Sequence, residues 1–274
     1  MPVTLSDVFL SVLSGTTSHA STVRGGDDGQ TPPLSGPLLR CVIYRRAFSM
    51  TEIALPALAL RNSVVAKWVR DQNVTVDVRS SEDLGVALAV GVHPARLTTH
   101  VDGLTPNEIL FCTANLGVGR VVVDSTDHVD LLSSVGPQRR QGVLVGMPDV
   151  NAPACGPAGE ADTAIGAILG RRRLDLIGLH CEIGSRERDF ISYPAAIGHM
   201  IAAMADIRDR HCVVLTRLDL GGGRAAPPGD WAVQLPKIAS EIDESLDDAC
   251  ATLRFPRPIV TVSAGLAILG QEAA

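Results

Sequence analysis

The sequence predicts a (β/α)8 barrel, and three observations support this fold class. From residue 39 onward, short runs rich in β-branched residues alternate with longer segments of helical periodicity, as in βα units around a parallel sheet. Eight such runs are present, which is the number that closes a barrel. The length of 274 residues and the 46% hydrophobic content suit one large core better than two domains.

The predicted strands are short and evenly distributed along the chain. They are Leu39–Tyr44, Val74–Val78, Arg96–His100, Arg120–Asp124, Gly142–Met147, Leu174–Cys181, Cys212–Leu218 and Pro258–Val262. Apolar residues at helical spacing predict outer helices over segments such as Asp83–Val92, Asn107–Leu116 and Ala195–Arg208. An open doubly wound sheet is the competing fold, but it typically has a glycine-rich turn after its first strand, and the run Tyr44–Phe48 has no glycine. We therefore expect a closed barrel.

The region before the first predicted strand differs in composition from the rest of the chain. A short amphipathic helix is predicted over residues 5–14, and it is followed by a segment rich in Gly, Ser, Thr and Pro. We expect residues 1–37 to form an arm or linker and residues 38–274 to form the barrel.

Composition and charge exclude several classes of function. A net charge of -6 and a pI near 5.6 argue against a nucleic-acid partner, because that affinity rests on Lys and Arg neutralising phosphates. The six cysteines are scattered without the close pairs of a metal site, and we interpret them as reduced thiols. No apolar stretch reaches the ~18 residues of a membrane span, and the N-terminus has no basic signal-like region. The sequence therefore predicts a cytoplasmic protein without a metal or membrane partner.

In such a barrel, functional groups lie just after the strands, at their carboxyl ends. Gly178-Leu-His-Cys-Glu-Ile-Gly-Ser185 follows the sixth predicted strand, and its Gly-Ser turn suits a phosphate, although an ordinary helix cap explains it too. Leu218-Asp-Leu-Gly-Gly-Gly223 follows the seventh strand, at the place where these barrels often bind phosphate. Of the histidines outside these motifs, only His100 is placed to line the barrel opening.

These motifs carry a resemblance to a known family. Together with Val76-Asp-Val-Arg-Ser-Ser-Glu-Asp-Leu84 and Gly117-Val-Gly-Arg-Val-Val-Val-Asp-Ser125, they stand in the order found in diaminopimelate and ornithine decarboxylases. Those enzymes are fold-type III pyridoxal-phosphate decarboxylases, with an alanine-racemase-like barrel. The resemblance extends over about residues 38–270, and it implies pyridoxal 5'-phosphate as the cofactor.

The resemblance also implies roles for individual residues. The positions it places beside the cofactor, several of them on its phosphate, are Asp77, His180, Ser185, Gly221, Gly222, Gly223 and Arg257. Arg257 comes from matching Arg254-Phe-Pro-Arg257 to the family's Glu-Pro-Gly-Arg run, whose glutamate faces the pyridine nitrogen and has no counterpart in this match.

Two further departures bear on catalysis. The family's Tyr-Ala-x-Lys-Ala-Phe run matches Ile43-Tyr-Arg-Arg-Ala-Phe48, which puts Arg46 at the Schiff-base lysine. A guanidinium cannot lose its proton in a protein and so cannot condense with the cofactor aldehyde. The ring-stacking histidine is replaced by Glu182, and we expect Arg46 and Glu182 to form a salt bridge in the vacated pocket. The only lysines, Lys67 and Lys237, fall in predicted outer helices.

Three interpretations stay open at this point. The first is a catalytically degenerate decarboxylase-like barrel with a residual site for a small phosphate-bearing ligand, in which any pyridoxal phosphate is bound without a covalent bond. The second is an active amino-acid decarboxylase of the diaminopimelate type, completed by another subunit. The third is a single-domain pyridoxal-phosphate carrier. Whether the chain is an enzyme is thus open. We expect a barrel without the family's C-terminal β domain, which would follow at about Ala274. We also expect a homodimer or a decarboxylase-like partner chain.

Overall fold

The computed structural model describes residues 36–134, 140–148, 158–183, 192–221, 231–265 and 268. Eight parallel strands pair in sequence order, and the last closes onto the first. The strands are β1 Glu52–Pro56, β2 Thr75–Val78, β3 Leu97–His100, β4 Arg120–Val123, β5 Gln141–Gly146, β6 Leu174–Glu182, β7 Arg217–Gly221 and β8 Ile259–Ser263. The predicted closed barrel is confirmed.

Within the described residues, one helix precedes β1, and a helix follows each of the strands from β1 to β7. They are α1 Gly36–Ala47, α2 Ser63–Gln72, α3 Ser81–Ala89, α4 Pro106–Leu110, α5 Thr126–Ser134, α6 Ala158–Leu169, α7 Tyr193–His211 and α8 Trp231–Leu253. Side-chain caps fix several of their starts: Asn62 accepts backbone hydrogen bonds at α2, Ser80 does so at α3, and Thr105 forms a capping box with Glu108 at α4. The helix α4 continues as a π-helical turn over Phe111–Leu116.

The predicted first strand, Leu39–Tyr44, is wrong: these residues belong to α1. Cys41, Tyr44 and Phe48 are buried at spacings of three and four, so one face of a helix packs on the barrel. The apolar run fits a short strand equally well by pattern, and only tertiary packing decides between the two. The true first strand reads Glu-Ile-Ala-Leu-Pro, in which Ile53 is the sole β-branched residue.

The other seven predicted strands are confirmed with shifted ends. The largest shift is at β7, because Cys212 adopts a left-handed conformation with φ 56° and ends α7 instead of starting a strand. The helix α1 begins at Gly36, close to the predicted start of the barrel. The rest of the predicted arm, residues 1–35, lies outside the described residues.

The inside of the barrel is polar in two layers. Strand register aligns Glu52 with Thr261 near the strand starts, where the Glu52 carboxylate accepts hydrogen bonds from Arg120 at 2.5 Å and Arg217 at 3.0 Å. A second polar layer lies at the carboxyl ends, the barrel mouth. The opposite faces of the strands, including Val76, are buried and apolar, and they pack against the helices.

No helix within the described ranges combines the length and apolar character of a membrane span. The five cysteines at described positions form no disulfide, which agrees with the expected reduced thiols there. Across the same part of the chain, no group of His, Cys, Asp or Glu side chains has the arrangement of a metal site.

Candidate functional site at the barrel mouth

The polar layer at the mouth is one connected group of side chains, which we call the mouth cluster. Its members come from the ends of β2, β3, β6, β7 and β8, and they are Asp77, Arg79, His100, His180, Glu182, Asp219 and Ser263. Three residues singled out from the sequence lie in this cluster: Asp77 and His180, which the resemblance places beside the cofactor, and His100, the histidine expected at the barrel opening.

His180 is the central member of the mouth cluster. Its Nδ1 lies 2.9 Å from Asp219 Oδ2, and its Nε2 lies 3.3 Å from Glu182 Oε2. Burial by itself lowers the pKa of the His180 imidazole, but the hydrogen bonds and charges of Asp219 and Glu182 outweigh it and raise this pKa to about 9. At neutral pH, His180 is therefore an imidazolium held between two carboxylates.

Glu182 is bound on its other side by Arg79. The Arg79 Nη2 donates to Glu182 Oε2 at 2.8 Å, the same oxygen that faces His180. Burial raises the pKa of the Glu182 carboxyl, but His180 and Arg79 together lower it to about 2. The predicted salt bridge between Arg46 and Glu182 is wrong, because Arg46 is exposed on α1 and Arg79 is the arginine that pairs with Glu182.

Asp77 is buried beside these charges, and only one of its two carboxyl oxygens has a hydrogen-bond partner among the described residues. Ser263 Oγ donates to its Oδ2 at 2.7 Å, while Oδ1 has no hydrogen-bond partner among the described residues. Burial and the nearby charge of Asp219 raise the pKa of Asp77 to about 7. Its exposed fraction is 5%, so this carboxyl group is available only to something that enters the mouth.

His100 lies edge-on to His180, with 4.9 Å between the ring centroids. Burial, together with the charges of His180 and Arg79, holds its pKa well below the usual value, so it is neutral. Its Nε2 is buried and has no hydrogen-bond partner in the described part of the chain. The mouth thus holds one imidazolium and one neutral imidazole in contact.

The end of β7 approaches these side chains closely. A Cβ added at Gly221 would lie 2.4 Å from His180 Cε1, 2.9 Å from Glu182 Oε2 and 3.1 Å from Arg79 Nη2. Glycine is therefore required at this position by the protein's own side chains.

Three predicted phosphate-binding residues, Ser185, Gly222 and Gly223, lie outside the described residues. The expectation that Arg257 lies at the mouth is wrong: it precedes β8, at the opposite end of the barrel, and pairs with Asp243 and Asp247 of α8. A four-residue motif match without strand boundaries placed it at the wrong end.

Neither lysine is near the mouth cluster. Lys67 lies on α2 with its ammonium 2.6 Å from Asp71, and the two side chains are 72% and 52% exposed. Lys237 is exposed on α8. Outer-ring helices do not reach the opening of a barrel. At the carboxyl end of β1, the residue aligned with Asp77 across the sheet is Pro56, which has no amine.

Comparison with known proteins identifies the family. The family model described as pyridoxal-dependent decarboxylase, pyridoxal binding domain, matches residues 39–269. This chain belongs to that family. Membership implies pyridoxal phosphate as a ligand by resemblance.

Individual relatives agree with this assignment. The diaminopimelate decarboxylase of Actinosynnema pretiosum is 30% identical over 249 residues, which cover 85% of this chain and 56% of that protein. The corresponding enzyme of Corynebacterium efficiens is 28% identical, covering 77% of this chain and 50% of that protein. The chain therefore spans about half the length of the curated relatives it matches.

Solved structures show the same fold. The diaminopimelate decarboxylase of M. jannaschii, in complex with L-lysine, superimposes with a TM-score of 0.68 at 16% identity, over 85% of this chain and 59% of that one. The ornithine decarboxylase of Entamoeba histolytica gives a TM-score of 0.63 at 16% identity, over 85% of this chain and 62% of that one.

The described mouth residues do not fit pyridoxal phosphate as a covalently held cofactor. No amine lies in the mouth cluster, and its residue at the end of β6 is the carboxylate Glu182. The cationic groups Arg79 and His180 already face this internal carboxylate.

The buried titratable groups of the mouth cluster make the stability of the barrel depend on pH. Asp77 binds its proton more tightly in the folded state, with a pKa of about 7 against an ordinary 3.8, and so does His180, at about 9 against 6.5. Each contributes stability that is complete below its ordinary pKa and is lost as the pH rises through its folded value. Glu182 has the opposite sign, but it acts only between its ordinary 4.5 and about 2.

The lowered pKa of His100 adds a contribution of the opposite sign below its ordinary 6.5. We therefore expect the part of the free energy of unfolding that Asp77 and His180 contribute to fall as the pH rises from about 4 to about 9. Urea unfolding across this range measures it. Asp77→Asn should remove the part of the fall that lies below about pH 7, while the exposed control Asp71→Asn should leave it unchanged. Equal slopes for wild type and Asp77→Asn would contradict the assigned titration.

Proposed function

We propose that this chain is a catalytically silent pyridoxal-binding barrel of the decarboxylase family that retains a site for a small phosphate ester. The observation that supports it most strongly is the residue at the end of β1. The run Ile53-Ala54-Leu55-Pro56-Ala57 lies there, and it matches the family's Tyr-Ala-x-Lys-Ala run with Pro56 at the lysine. This alignment replaces the one that used Arg46.

The family's Glu-Pro-Gly-Arg run is also realigned, from Arg254–Arg257 to the carboxyl end of β8. Ser263-Ala264-Gly265 lies at the carboxyl end of this strand and matches the Glu-Pro-Gly of the family run, with Ser263 at the glutamate. In the family, that glutamate faces the pyridine nitrogen and makes the ring a stronger electron sink. The proposed replacements thus remove the covalent anchor, the ring-stacking imidazole and this carboxylate together.

An active enzyme is the second candidate, because the curated relatives are diaminopimelate decarboxylases and the chain spans about half their length. A partner chain, or a second copy of this one, would then complete the site. This candidate and the pyridoxal-phosphate carrier both require an amine in the mouth, and the described positions of Lys67 and Lys237 favour neither.

Two assays test the proposal on the full chain. With pyridoxal phosphate added, we expect release of carbon dioxide from diaminopimelate or ornithine to be no faster than with pyridoxal phosphate alone. Calorimetry should show tighter binding of pyridoxine 5'-phosphate than of pyridoxine, because only the former has the phosphate. Protein-dependent decarboxylation would contradict the proposed silence, and equal binding of the two ligands would contradict the residual phosphate site.

A further inference from the structure

The carboxylate of Glu182 occupies a position suited to an anionic ligand. A single oxygen, Oε2, faces the Arg79 guanidinium at 2.8 Å and the His180 imidazole at 3.3 Å. Two cationic donors that converge on one point are a common way in which proteins hold an oxyanion. In this chain, the oxyanion comes from the protein itself.

The backbone beneath this carboxylate is equally specialised. A Cβ on Gly221 would lie 2.9 Å from Glu182 Oε2 and 3.1 Å from Arg79 Nη2, so the group rests almost on the glycine. Close approach of an anionic group to a side-chain-free strand end is the arrangement expected for a bound phosphate. Here the acidic side chain fills that space.

We infer that Arg79 and His180 form an oxyanion site above Gly221, that Glu182 occupies it in the resting protein, and that a phosphate monoester displaces Glu182. This inference rests on the proposed function, because it specifies how a phosphate-bearing ligand competes for the mouth. Glu182 is the last residue of β6 and its side chain is 47% exposed, so it has solvent to turn into.

The charge balance favours phosphate over a carboxylate ligand. An incoming carboxylate has the same charge as Glu182, which is already tethered in place, and so it gains nothing by exchange. A phosphate monoester carries about −1.5 to −2 charges at pH 7 and three acceptor oxygens. It can therefore engage Arg79 and His180 separately where Glu182 engages both through one atom.

Removing the internal competitor tests the inference directly. We expect Glu182→Gln to bind inorganic phosphate at least about tenfold more tightly than wild type by calorimetry, which is the effect of one charge-assisted hydrogen bond. The affinity for acetate should rise less on this substitution, because acetate has a smaller negative charge and fewer acceptor oxygens for Arg79 and His180 than phosphate has. Glu160→Gln, the same change at an exposed position on α6, should leave phosphate binding at the wild-type level.

A second substitution locates the gain. Adding Arg79→Gln to Glu182→Gln should abolish the tighter binding, whereas adding Arg46→Gln, an exposed arginine on α1, should not. Glu182→Ala gives an independent readout, and thermal melts confirm that each variant folds. Unchanged phosphate affinity in both folded Glu182 variants, or a gain that survives loss of Arg79, overturns the inference. Decarboxylation by wild type would instead overturn the proposed function, whatever the Glu182 variants do.

Discussion

Substituting Pro56→Lys is expected to convert a barrel that forms no covalent pyridoxyl adduct into one that forms it stoichiometrically. Pro56 ends β1, and strand register aligns it with Asp77, so a lysine there shares the interior face with the mouth cluster. Its backbone is extended, with φ −63° and ψ 139°, which lysine adopts without strain. The amine can then attack the cofactor aldehyde, with loss of water.

The readout for Pro56→Lys is a new visible absorbance band on adding pyridoxal phosphate, abolished by borohydride, with the adduct mapped to residue 56 by mass spectrometry. Pro56→Met is the matched control, since it has a side chain of similar length without an amine. If Pro56→Lys folds but gives no more adduct than Pro56→Met, the end of β1 does not face the ligand site.

The second large effect concerns stability. Asp219→Ala should lower the free energy of unfolding by about 3 kcal/mol, because it removes one of the two carboxylate partners of the buried His180 imidazolium. His180 Nδ1 lies 2.9 Å from Asp219 Oδ2, and the two side chains are 8% and 5% exposed. Urea unfolding at neutral pH measures the loss.

Asp71→Ala is the control for Asp219→Ala. It breaks the exposed ion pair with Lys67, and it should cost less than about 1 kcal/mol. A cost for Asp219→Ala no greater than that of Asp71→Ala would show that the pair formed by His180 and Asp219 adds little to the folded state.

The sequence was sufficient for the barrel but not for its first strand. Five strands, β2, β3, β4, β5 and β8, contain two or more β-branched residues and are recognisable from sequence, whereas β7 contains none and is located only by the β-branched residues that precede it. The run Leu39–Tyr44 satisfies the strand pattern by composition, yet packs as a helix with Cys41 and Tyr44 turned inward. The true strand, rich in Ala and Leu, gives no local signal.

The same error carried over to the site. A strand over Leu39–Tyr44 would place Arg46 at the mouth, but on the helix α1 this side chain is exposed. The sequence does not single out Arg79, because it lies two residues after Asp77, the member of its motif that the family resemblance marks. Its ion pair with Glu182 joins β2 to β6 across 103 residues of sequence, and no local pattern predicts such a contact.

The described residues at the mouth of this barrel offer no amine to an aldehyde, because Lys67 and Lys237 lie on outer helices. The most direct measurement is to mix the wild-type chain with equimolar pyridoxal phosphate, reduce with borohydride, and map every modified peptide. We expect no stoichiometric adduct at Lys67, Lys237 or any other residue. A stable pyridoxyl group at either lysine in near-complete yield would contradict this expectation and restore the interpretation of an active enzyme or carrier.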